Sequence, residues 1–190
     1  SAAGFACNNM SLLAHIPLAD FPNNPASASD IWGHVDLNTN KEYAIIGLNN
    51  GVTVVDVTTP ASPQIIGSIA GLPTAWRDIK VYQYFDTSSL RWQAYAYSTS
   101  EADESLTHID LNYLENGISL VKRQSTYSSA HNIYISNVDY GLNIALAGQE
   151  PMVHILGSNS FGGSFRSYAL SDPETLGHAY TNSSGVRSDY

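Results

Sequence analysis

Six residues carry the side chains best suited to chemistry: Asp30, Trp76, Arg77, Asp78, His131 and Asn132. All lie at the openings of three similar segments, Asp30-Ile31-Trp32-Gly33-His34-Val35, Asp78-Ile79-Lys80-Val81-Tyr82 and His131-Asn132-Ile133-Tyr134-Ile135. The openings are spaced 78 − 30 = 48 and 131 − 78 = 53 residues apart. If the segments are repeats, the six side chains converge on one binding site. Oxygen ligands from such a set suit calcium, and Asp30, Asp78 and His131 together suit another divalent metal. The competing reading is structural: Arg77 pairs with a neighbouring carboxylate, His131 caps a turn, and adjacent units are locked together.

Other chemistry is poorly supported. His15, His34, His108, His154 and His178 are scattered without an HExxH pair, so there is no zinc-protease signature. No G-x-S-x-G elbow occurs, and Gly157-Ser158-Asn159-Ser160-Phe161 lacks its final glycine. Gly162-Gly163 reads as a loop rather than a phosphate cradle, because no helical pattern follows it. Asp56 and Asp110 each close a strand-like run and read as turn formers that bond their own backbone. The 12 Tyr and 3 Trp suit sugar or protein contact, but alternating aromatics equally build the core between sheets.

The elements that position these residues follow from period-two alternation. After the first opening come runs at Tyr43 to Asn49, Gly51 to Val57 and Gln64 to Ile69, with Asn50-Gly51 as a type I′ hairpin signal. After the second come Trp92 to Ser98, Leu106 to Leu111 and Ile118 to Arg123. After the third come Asn143 to Ala147, Met152 to Leu156 and Phe165 to Leu170. No apolar stripe of helical period is sustained, so the expected class is all-β. Four antiparallel strands in roughly 50 residues is the size of a propeller blade.

The expected organisation is an N-terminal segment 1–26, units at 27–75 and 76–127, and a third at 128–190 that includes the start of a connection to a further blade. Within the first segment Leu12-Leu13-Ala14-His15-Ile16 is an expected strand that would close a ring. Propellers have about four to eight blades, so three make a partial propeller. Its expected partners are the remaining blades or another protein chain completing the ring.

Composition narrows the partners further. The net charge is -9, and the longest basic cluster is Lys122-Arg123, which argues against nucleic acid. No run approaches the roughly 18 apolar residues of a membrane span. The opening Ser1-Ala2-Ala3-Gly4-Phe5-Ala6-Cys7 resembles the region after a signal-peptidase cut. Asn9-Met10-Ser11 and Asn182-Ser183-Ser184 are glycosylation sequons if the source is eukaryotic. Cys7 is the single cysteine, expected either to bridge to a partner or to stay a buried thiol.

Several words resemble the secreted choice-of-anchor B family, whose repeats are related to the LVIVD propeller repeat. They are Ser29-Asp30-Ile31-Trp32-Gly33, Glu42 through Gly47, Gly51 through Pro63 (GVTVVDVTTPASP), Trp76-Arg77-Asp78-Ile79-Lys80-Val81, Ser100-Glu101-Ala102 and Ser129-Ala130-His131-Asn132-Ile133. The likeness covers residues 29–135 well and the third unit loosely, departing at Gln149-Glu150-Pro151. It implies an extracellular or cell-surface propeller with further blades, and it carries no settled reaction. The expected function is a non-catalytic binding, adhesion or structural module with a glycan or protein ligand. The alternative is a metal-dependent hydrolase of lactonase or phosphoesterase type.

Overall fold

The computed structural model describes residues 6, 8–124, 127–159 and 165–182. The protein is all-β, with antiparallel strands throughout. A first sheet runs in the order β1 (Ala28–Asp36), β2 (Lys41–Leu48), β3 (Gly51–Asp56) and β4 (Gln64–Ala70). A second has β5 (Ile79–Asp86), β6 (Arg91–Ser98), β7 (Leu106–Asp110) and β8 (Ser119–Gln124). Each is a meander in which sequence neighbours pair, the simplest product of short alternating runs joined by tight turns.

The third sheet departs from the expected strands. It orders β9 (Asn132–Ser136), β12 (Met152–Leu156), β13 (Phe165–Ala169) and β14 (Gly177–Asn182). Residues 143–147 are not its second strand. Instead β10 (Val138–Asp139) and β11 (Ile144–Ala145) form a separate two-stranded hairpin inserted between β9 and β12. Residues 177–182, expected to belong to a connection, supply the fourth strand.

Apolar side chains that alternate along the strands fill two layers between the sheets. Tyr43, Ile45 and Val54 of the first sheet meet Ile79, Val81 and Ala96 of the second. Tyr97 and Leu106 of the second meet Ile133, Ile135, Val153 and Ile155 of the third. The opening strands β1, β5 and β9 lie beside one another in that order.

On the opposite face of the first sheet, Ile16 and Phe21 pack with Leu48 and Val55. Residues 12–16 form no strand; a short 3-10 turn at Leu18–Asp20 follows them.

The first hairpin is present, but its turn residues are Asn49 and Asn50, since Leu48 pairs with Gly51. Neither asparagine has positive φ, so the turn is not type I′. Gly51 is required for another reason. At φ +153° it lies so close to the Ile69 carbonyl that a Cβ would collide with that oxygen.

Candidate functional site

The opening-strand residues divide into three arrangements, each built by a different local constraint. The first is a carboxylate ladder. Asp30 is on β1, and its Oδ2 accepts the Ile79 amide of β5 at 3.0 Å. Asp78 immediately precedes β5, and its Oδ2 accepts the Ile133 amide of β9 at 2.9 Å. Asn132 Nδ2 donates to that same oxygen at 3.0 Å. Each acid therefore caps an amide on the next opening strand.

Lys80, which the sequence reading did not single out, occupies the space beside both acids. Its Nζ lies 2.6 Å from Asp78 Oδ1 and 3.8 Å from Asp30 Oδ2, and 4.2 Å above the Trp32 ring centroid. Alternation along the opening strands was the available signal: Lys80 stands two residues beyond its acid, as Trp32 does after Asp30.

The two carboxyls respond oppositely to this setting. Burial and the neighbouring Asp78 carboxyl raise the Asp30 pKa. At Asp78 burial also opposes ionisation, but donation from Lys80, the Ile133 amide and Asn132 outweighs it and lowers the pKa.

The second arrangement is exposed. Trp76 stacks on His131 with centroids 5.4 Å apart and planes 14° from parallel, while Trp76 Nε1 donates to the His131 carbonyl at 2.9 Å. His131 Nδ1 is 2.6 Å from Glu101 Oε1, and both side chains are about half exposed. His131 thus joins Glu101 rather than the two aspartates.

The expected metal set Asp30, Asp78 and His131 is not assembled. Lys80 supplies the positive charge between the two acids, and His131 belongs to the separate stack. Among the described residues, no three His, Cys, Asp or Glu side chains are grouped to hold a metal ion.

The third arrangement removes Arg77 from the exposed cluster altogether. Its side chain, only 1% exposed, lies 2.6 Å from Glu104 Oε2, which is 3% exposed. Arg77 Nε donates to the Leu48 carbonyl at 2.9 Å and Nη2 to the Leu72 carbonyl at 2.6 Å. Arg123 Nη2 donates to Glu104 Oε1 at 3.0 Å and to the Ala70 carbonyl at 2.7 Å. This network ties the end of the first sheet to the second. It is the carboxylate pairing that the structural reading anticipated, with a partner 27 residues away that local spacing does not reveal.

A fourth feature was not foreseen. Asn143, fully buried at φ 59°, carries the inserted hairpin onto the first two sheets. Its Oδ1 accepts Trp32 Nε1 at 2.9 Å, its Nδ2 donates to the Gly33 carbonyl at 2.9 Å, and its own carbonyl accepts the Gln83 amide at 2.8 Å. Gln83 Nε2 bridges the carbonyls of Val35 and Leu142.

Asn9 is exposed, which fits a glycosylation acceptor. Asn182 ends β14, but the rest of its sequon lies outside the described residues, as does Cys7. Among the described residues no helix is long and apolar enough to cross a membrane. No family model, curated protein or solved structure matches the chain.

Proposed function

We propose that the chain is a non-catalytic binding, adhesion or structural module of an extracellular or cell-surface β-propeller, akin to the choice-of-anchor B proteins. The three four-stranded sheets are the blades in this reading. The opening strands line the channel, and further units complete the ring.

The observation that carries the proposal is the carboxylate ladder. Asp30 and Asp78 use their oxygens on amides of the next sheet and on Lys80, which engages both acids in contacts that join neighbouring sheets. An enzyme needs groups that exchange protons or hold an ion during turnover. Here the two acids join one unit to another. The Trp76 and His131 stack is the exposed aromatic surface at this site and is the proposed contact for a glycan or protein ligand.

The test pairs two screens of the purified chain. Binding to glycan and extracellular-protein panels should be detected and weakened by Trp76→Ala. Lactonase and phosphoesterase panels, run with calcium, manganese or zinc, should stay silent. Metal-dependent hydrolysis abolished by Asp78→Asn would overturn the proposal.

A further inference from the structure

The seam where the second sheet packs on the third holds a small cavity with tyrosine and proline walls and an acidic rim. We propose that this cavity binds a small alkylated ammonium ion, of the size and charge of choline or tetramethylammonium. The inference rests on the packing of these two sheets and not on the propeller reading.

The cavity has a volume of about 270 Å³. Drug-sized ligands occupy about 300–1,000 Å³, so this space takes a small molecule and little more. Tyr82 and Tyr84 of β5 line one side. They stand two residues apart on one strand and both face the third sheet, with rings 13° from parallel and centroids 6.1 Å apart. Pro151, just before β12, and Leu170 and Pro173, just after β13, line the other.

The loop after β13 is already fixed in place. The Leu170 amide donates to the Pro151 carbonyl at 3.2 Å, and the Tyr97 hydroxyl donates to the Pro173 carbonyl at 2.8 Å. Asp172 Oδ1 accepts the Thr175 amide at 3.1 Å, and Lys122 Nζ donates to the Thr175 carbonyl at 2.6 Å. A wall held by these bonds loses little freedom when a ligand enters.

Charge sets the kind of ligand. Glu150 lines the cavity, and Asp172 and Glu174 flank Pro173 in the sequence. Asp86 stands two residues beyond Tyr84 on the same face of β5. Burial raises the Tyr84 pKa, and the charges of Asp86, Asp172 and Glu174 add to the rise, so these carboxylates act at the ring. Lys122 offsets part of the Asp172 charge, which leaves the rim negative.

Such a rim draws in a cation, and the electron-rich faces of tyrosine rings hold it. A primary ammonium is strongly hydrated and would turn its donors toward carbon, whereas methyl groups on the nitrogen present a surface that apolar walls accept. The carboxylates also repel the phosphate that accompanies choline in a lipid headgroup, which favours the free ion over a membrane surface. The chain holds one of its own cations in the same manner, with Lys80 Nζ 4.2 Å above the Trp32 ring and Asp30 and Asp78 beside it.

Nuclear magnetic resonance of the whole isotope-labelled chain tests the site, with choline and tetramethylammonium chloride as probes. Both should shift the amide signals of Tyr84, Glu150 and Leu170 saturably. The neutral analogue of choline, with carbon in place of nitrogen, should bind at least about tenfold more weakly. Glu150→Gln, an exposed change, should weaken choline about threefold and Tyr84→Leu about tenfold, while Tyr84→Phe, which keeps the ring, should bind like the unaltered chain.

Equal affinity for the neutral analogue would reduce the site to an apolar pocket and overturn the proposal. Absence of saturable shifts with either cation would also overturn it, as would a response only to a proline-rich peptide or to phosphatidylcholine vesicles. None of these results bears on the Trp76 and His131 surface, so the proposed function stands or falls by its own screens.

Discussion

Asp78 reaches across from the second sheet to the third, its Oδ2 accepting the Ile133 amide at 2.9 Å, and Asp30 makes the matching bond from the first sheet to Ile79 at 3.0 Å. The two acids are not energetically equal. The Asp78 side chain is 7% exposed and also holds Lys80 and Asn132, whereas the Asp30 side chain is 26% exposed. Removing Asp78 leaves a buried amide and a lysine without their acceptor. Asp78→Ala should cost about 3 kcal/mol and Asp30→Ala about 1 kcal/mol, read from urea midpoints at constant slope. Equal losses would show that burial does not set the strength of the ladder.

Glu104 is the acceptor on which two arginines converge, and its replacement leaves the Arg77 guanidinium charged and buried. Breaking a buried pair from one side costs about 3–5 kcal/mol. Glu104→Ala should fall in that range, while Glu101→Ala, at the exposed His131 pair, should change stability by less than about 1 kcal/mol. Gly71→Ala probes the same network sterically. A Cβ there would stand 2.5 Å from Glu104 Oε1 and 2.6 Å from Arg77 Nη2, so thermal unfolding should occur at a clearly lower temperature.

Much of this architecture was legible, for reasons that differ by residue. In the first two units the alternating runs lie within a few residues of the strands they became, because each strand buries alternate side chains against a neighbouring sheet. Asp56 and Asp110 act as read, accepting the amides of Thr58 and Asn112 at 2.9 and 2.7 Å. Such bonds are local and follow from the residue type. The third unit misled because Ile144 and Ala145 do form a strand, but one whose pairing ends within its own hairpin. What holds that hairpin is Asn143 bonding to residues 110 and 111 positions away, a distance at which single-sequence spacing has no signal. Arg77 leaves the convergent set, and pairs with a carboxylate as the competing reading expected, for a related reason: its backbone lies near the acids, but the long side chain follows the buried carboxylate of Glu104.

The hairpin anchored by Asn143 should yield first to local perturbation. Asn143→Ala deletes both bonds to β1 and places a Cβ residue without a compensating side chain at φ 59°. A loss of about 2–3 kcal/mol is expected, with protease cleavage appearing between residues 138 and 146 before the sheets unfold. Asn143→Gly, which relieves the backbone but not the lost bonds, should recover about 1 kcal/mol. Cleavage appearing first within the second sheet would show that the insert is not the weak element.

Two buried histidines, His34 and His108, make stability fall in mild acid. Burial lowers the pKa of His34 to about 4, with the Asp36 charge opposing, and its two ring nitrogens are buried with no hydrogen-bond partner among the described residues. Burial, aided by the Lys122 charge, lowers His108 to about 4 as well. Between the ordinary histidine value of 6.5 and these values the unfolded chain binds more protons than the folded one, so stability must fall as pH falls. The contribution is fully present above pH 6.5, declines through the interval and levels off below about pH 4, at a cost on the order of 3 kcal/mol for each histidine. Urea unfolding at pH 7.5, 6, 5 and 4.5 should trace this decline, and His34→Phe, which keeps the ring stacked on Tyr43 without a proton site, should flatten part of it. An unchanged slope in His34→Phe would mean that His34 does not titrate between folded and unfolded states. If the slope disappears altogether, neither His108 nor His154, whose pKa burial also lowers, contributes to it.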